Sequence, residues 1–137
     1  MTHDEVQAWL DSYVEAWKTF DGDAVATLFA DEAEYRYHPW DDPVMGRDAI
    51  VQDWLNPGGN PEGRDKPGTW WAQYEPWAVD GDKAVVIGET KYFADETQAK
   101  LLRHYFNVWT IEFDANQRAR SFTEYFMQRK QPAAQSR

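Results

Sequence analysis

Cysteine is missing altogether from the 137 residues, so neither a disulfide framework nor a thiolate metal site is available. Cations are scarce: 14 Lys and Arg stand against 24 Asp and Glu, for a net charge of −10. That excess repels phosphates and anionic lipid surfaces, which argues against nucleic acid and membrane as partners. No apolar run approaches the about 18 residues of a membrane span and no signal peptide is seen, so the expected location is the cytoplasm. The three histidines, His3, His38 and His104, fall on different elements without HExxH-like spacing, and no metal is expected. Neither GxGxxG nor a P-loop occurs, so no cofactor is expected. Ser12, Ser121 and Ser136 lack the residues of a nucleophile elbow.

Aromatic residues, in contrast, are abundant. They make up 16% of the chain and include eight Trp. Rings of this size either fill a core or line a concave apolar site. The length suits one domain, placed at residues 1–130, with a frayed tail over 131–137.

Val6, Trp9, Leu10, Tyr13, Val14 and Trp17 recur at helical spacing, so a first helix turns one stripe toward the core. Thr2 and Glu5 have capping-box spacing at its start. Asp21-Gly22-Asp23 breaks it and caps a second helix expected to run to about Phe29. Residues 33–38 then switch to period two: Ala33, Tyr35 and Tyr37 share one face, Glu34 and Arg36 the other. The charged face belongs in water, which turns both tyrosines inward. An HPWDDP turn follows, then a third helix over 47–55 with Trp54 inward. Residues 56–68, NPGGNPEGRDKPG, form a loop that is either a lid or an excursion without structure. Strands over 69–79, 83–94, 100–113 and 118–129 form a meander, so the fold class is α+β with a curved sheet.

Four stretches, AWKTFDGDAVATLFADEAEY, PVMGRDAIVQDWL, WAVDGDKAVV and FDANQRARSFTEYF, in this order of elements resemble the nuclear transport factor 2-like superfamily, in particular its SnoaL-like branch. The similarity runs over about residues 5–129. It implies a cone-shaped barrel of mixed and antiparallel strands wrapped around the N-terminal helices, enclosing one deep pocket. Members include ketosteroid isomerases, limonene-epoxide hydrolases, scytalone dehydratases, polyketide cyclases and non-catalytic binders, so function must be argued from the site.

On that fold Tyr37 falls where the isomerases carry their general base, and a one-residue shift puts His38 there. Histidine titrates near neutrality and can move a proton; the alternative is a rim histidine in a turn hydrogen bond. Tyr13 falls near the isomerase tyrosine donor and Trp109 at its oxyanion-hole carboxyl. Glu124 matches a catalytic carboxylate of the epoxide hydrolases, whose partners would fall on Lys91 and Glu89 with the charge order reversed.

Independently of the resemblance, Glu124 shares a strand face with Phe122 and Phe126, and a carboxylate between two rings is misplaced unless it is used. Asn107 and Trp109 share a face of the preceding strand. The candidate catalytic residues are therefore His38 and Glu124. Tyr13, Trp17, Tyr35, Tyr37, Trp54, Glu89, Asn107, Trp109 and Phe122 are candidates for holding a small-molecule ligand. The opposite sheet face, with Phe106, Val108, Tyr125 and Met127, is apolar too, and a homodimer is expected to cover it. Acid–base chemistry on a small molecule, of the isomerase, hydrolase, dehydratase or cyclase kind, is one expectation. Non-catalytic binding of an apolar or aromatic metabolite is the other, and a dimeric interaction module with a self-filled cavity is a third.

Overall fold

The computed structural model describes residues 1–130; the tail over 131–137, expected to fray, lies outside the described residues. Helix α1 spans His3–Thr19 and opens on the expected capping box, with Thr2 and Glu5 satisfying each other's backbone N–H. Its buried residues are Val6, Trp9, Leu10, Tyr13 and Ala16, the stripe that the spacing predicts. Phe20 ends it in a left-handed conformation, and Asp21 caps α2 (Gly22–Ala26) by accepting from the Asp23 N–H.

Helix α2 stops earlier than the sequence suggests, and strand β1 (Phe29–Arg36) begins four residues before position 33. Phe29 is fully buried, so it serves the core equally well from either geometry, and its hydrophobicity alone does not mark the boundary. The HPWDDP turn leads to β2 (Val44–Met45), a two-residue strand with no sequence signal of its own, and then to α3 (Arg47–Leu55). Residues 56–68 are ordered, with 3₁₀ turns at Pro57–Gly59 and Pro61–Gly63. The chain closes with β3 (Trp70–Asp80), β4 (Lys83–Phe93), β5 (Leu101–Phe113) and β6 (Ala119–Gln128), within about a residue of the predicted meander.

The six strands form one sheet in the order β2-β1-β6-β5-β4-β3. All neighbours are antiparallel except β1 and β6, which run parallel. The sheet is therefore mixed; it curls around α1 without closing, leaving β2 and β3 as edges. Paired residues in adjacent strands share a face, so Val86, Trp109 and Glu124 all point to the α1 side. There Trp9 stands edge-on to Phe29 and Phe113, while its Nε1 donates to the Leu28 carbonyl at 3.0 Å. Each large ring buried in this way contributes about 1.5–3 kcal/mol.

Gly88 in β4 shapes what lies above that core. It faces Tyr74 across the β3–β4 ladder and Asn107 across β4–β5. A side chain at this position would collide with the Tyr74 ring and the Gln73 carbonyl. Its absence lets Tyr74 lie across the strand against Trp109, with ring centroids 4.1 Å apart. Among the described residues no helix is long and apolar enough to cross a membrane.

Candidate functional site

Between α1, α3, the 56–68 loop and the concave sheet face lies a cavity of about 500 Å³, within the range of small-molecule sites. Strand β5 runs down one wall. Its inward residues change from exposed Arg103 through partly buried Tyr105 to buried Asn107 and Trp109, so Arg103 marks the mouth and Trp109 the floor. The exposed Gly58 and Gly63 rim the same mouth. The loop is held there by Arg64, whose Nε donates to the Leu55 carbonyl at 2.6 Å, and by Asp65, which accepts from Trp17 Nε1 at 2.9 Å.

Near the floor, four side chains form a hydrogen-bonded chain. The Thr90 hydroxyl donates to Asn107 Oδ1 at 2.9 Å, so the Tyr74 hydroxyl, 2.5 Å from Thr90 Oγ1, must donate to it. With its oxygen occupied, Asn107 turns its Nδ2 to Glu124 Oε1 at 3.1 Å. The other carboxyl oxygen, Oε2, is out of contact with solvent and has no hydrogen-bond partner. Burial pushes the Glu124 carboxyl up from 4.5 to about 8, while the Trp109 and Asn107 N–H groups pull it down. Trp109 Nε1 forms no hydrogen bond of good geometry, so its pull acts through the proximity of the dipole. Because Oε1 accepts from Asn107, the proton belongs on Oε2.

A second pair stands in the same cavity. The buried Tyr13 and Tyr35 hydroxyls are 2.7 Å apart, and burial raises both phenols well above 10. Both are neutral at any ordinary pH. One donates to the other, which leaves the second O–H available to a ligand oxygen. Stacking of Tyr35 on Phe122, with centroids 4.5 Å apart and planes within 8°, fixes the ring. At the rim, Tyr37 donates to Asp53 Oδ2, and its phenol is raised first by burial and then by that bond.

Of the residues singled out from sequence, Tyr13, Trp17, Tyr35 and Tyr37 line the cavity, as do Trp54, Asn107, Trp109 and Glu124. Four lie elsewhere. His38 is outside the lining: its Nδ1 bonds Asp41 Oδ2 at 2.8 Å and its ring stacks on Trp40, the turn role named as its alternative. Glu89 sits on the convex face, where it meets His104 Nε2 at 3.1 Å, and Lys91 lies over the Trp71 ring on the same side. In β4 the inward set is Ala84, Val86, Gly88, Thr90 and Tyr92, one residue out of phase with the Glu89 assignment. Phe122 is buried behind Tyr35 and supports the lining without belonging to it. Sequence reading missed Asp53, Asp65, Tyr74, Thr90, Tyr92, Arg103 and Tyr105. Arg103 and Tyr105 share the period-two face of Asn107 and could have been found from it; the others depend on register or loop path.

A family model described as a SnoaL-like domain matches residues 10–119. Among solved structures, an NTF-2-like protein of unknown function from Burkholderia xenovorans LB400 is 16% identical with a TM-score of 0.66, over 96% of this chain and 89% of that one. A protein from Kribbella flavida DSM 17836, provisionally named a ketosteroid isomerase, is 15% identical with a TM-score of 0.63, over 95% and 83%. At these identities the likeness establishes the fold. No curated protein matches the chain.

Proposed function

We propose that this chain, which belongs to the SnoaL-like domain family, is an acid–base enzyme that relocates a proton within a flat, largely apolar small molecule. In this reading Glu124 is the proton-transfer group, and the free hydroxyl of the Tyr13–Tyr35 pair donates to the ligand oxygen on which charge develops. Glu124 in its ionised form removes a proton from the carbon beside a carbonyl. The bonding electrons move onto the carbonyl oxygen, and the tyrosine O–H stabilises that oxyanion without a change in its own protonation. Where a carbon–carbon double bond lies β,γ to the carbonyl, the oxyanion electrons re-form the carbonyl, the double bond shifts to the α,β position, and return of the same proton from Glu124 to the γ-carbon completes an isomerisation.

The observation that carries this reading is the Glu124 carboxyl, buried in a ligand-sized cavity with one unpartnered oxygen and raised to about 8. At pH 7 such a group is about nine-tenths protonated, and a base poised near the working pH is the most effective kind. The provisional name of the Kribbella flavida relative belongs to this reaction class. The test is a thermal-shift screen of flat carbonyl compounds followed by turnover assays of each hit. Glu124→Gln should keep binding and lose at least about 100-fold in kcat. Hits that bind the wild type but never react would favour the non-catalytic binder instead.

The same proposal extends to assembly. Phe106, Val108, Tyr125 and Met127 are exposed together on the convex face, Met127 to 75%. A second copy of this chain covering that face would remove a contiguous apolar patch from water.

A further inference from the structure

Arg103 is a cation at the mouth of the cavity, and its guanidinium is held by aromatic side chains. It lies 4.5 Å from the Tyr92 ring centroid and 5.7 Å from that of Tyr105, and its Nη1 donates to the Tyr105 hydroxyl at 3.1 Å. Among the described residues no carboxylate comes within ion-pair distance of it. The two rings fix the plane of the fork, and four of its five N–H donors are left for a ligand.

The acids that share the cavity are otherwise engaged. Asp53 accepts from Tyr37, Asp65 accepts from Trp17, and Glu124 accepts from Asn107. These bonds orient the carboxylates without removing their charge, and Asp65 feels the Arg103 charge, so an anionic group entering the mouth competes with Asp65 for one preoriented cation and prevails through bidentate contact. Along β5, Arg103 and Asn107 are four residues apart on the same face, about 13 Å of strand. Asn107 bonds Glu124, so the charge on Arg103 stands roughly that far from the reactive carboxyl, with Tyr105 and Tyr92 forming the wall between.

We propose that Arg103 selects substrates carrying a carboxylate at one end of a flat body two to three fused rings long, the carboxylate docking on the guanidinium at the mouth while the other end reaches Glu124. This rests on the proposed small-molecule site and adds the chemical class it takes. A charge-assisted, bidentate pair of this kind is worth roughly tenfold in affinity at a partly exposed site.

The test uses anthracene-2-carboxylate and its uncharged primary amide, titrated against the quenching of tryptophan fluorescence at pH 7.5 and low salt. Trp17, Trp54 and Trp109 in the lining make the signal local. Wild type should bind the carboxylate at least about tenfold more tightly than the amide. Arg103→Gln should bring the two within about twofold, chiefly by weakening the carboxylate, with little change in the melting temperature, since the residue is exposed. Lys91→Gln, which removes a cation from the opposite face, should keep the wild-type preference. Equal binding of both probes by wild type, or an equal loss of preference in Lys91→Gln, would overturn the role of Arg103 and leave the cavity reading intact. Failure of both probes to bind would overturn both.

Discussion

Glu124 is the residue whose environment differs most from that of an ordinary surface carboxylate, and the difference has a measurable sign. Between its usual 4.5 and the raised value of about 8, the folded protein holds a proton that the unfolded chain has released. Stability must therefore fall as pH rises across that window, by an amount on the order of 5 kcal/mol. Glu124→Gln, which resembles the protonated form, should flatten that fall, so the variant gains on wild type between pH 5.5 and 8.5 in thermal melts. Asn107→Ala should remove the acceptor of the Thr90 O–H and the donor to Glu124 Oε1, costing about 1–3 kcal/mol in urea unfolding and raising the Glu124 pKa further. The place of Glu124 in the cavity was legible because a carboxylate between Phe122 and Phe126 at period two points inward with the rings. His38 stays outside the lining because Asp41 and Trp40, close in sequence, bond its Nδ1 and stack on its ring, which a position beside a proline does not disclose.

The individual elements follow their local signals closely where those signals are chemical and fail where they are only apolar. The α1 capping box is read directly from Thr2 and Glu5, and Thr2→Ala should cost about 1 kcal/mol. The meander is bounded by Asp-Gly-Asp and Asp-Ala-Asn-Gln turns, which are strong punctuation. In β4, by contrast, Ala84, Val85, Val86 and Ile87 form an unbroken apolar run, and such a run carries no phase. The assignment of Glu89 and Lys91 to the cavity failed for that reason, and Thr90 and Tyr92 went unnoticed. Gly88 follows that run, and its role depends on a cross-strand partner that sequence does not name. Gly88→Ala should force Tyr74 off Trp109, destabilising the fold by about 1–3 kcal/mol and reducing the cavity's grip on any ligand.

At the scale of the whole molecule, six strands curled around one helix leave the sheet with two differently employed faces. The concave face buries a core at one end and keeps a cavity at the other; the convex face presents Phe106, Val108, Tyr125 and Met127 to solvent. Light scattering should give about twice the 16.0 kDa of the chain, and Phe106→Lys should shift the species toward monomer by placing like charges opposite each other across a two-fold axis. The parallel pairing of β1 with β6 could not be read from sequence, because it joins segments at opposite ends of the chain whose register is set by the core between them. Yet that pairing is what brings Tyr35 and Glu124 to the same cavity. The account stands most directly on the protonation of one carboxyl, which carbon-13 NMR can follow in protein labelled at the glutamate side-chain carboxyl carbon, with Glu124→Gln to assign the resonance. A titration near pH 8 is the predicted result; a midpoint close to 4.5 would mean a carboxylate at home in water, and the acid–base site described above would not exist.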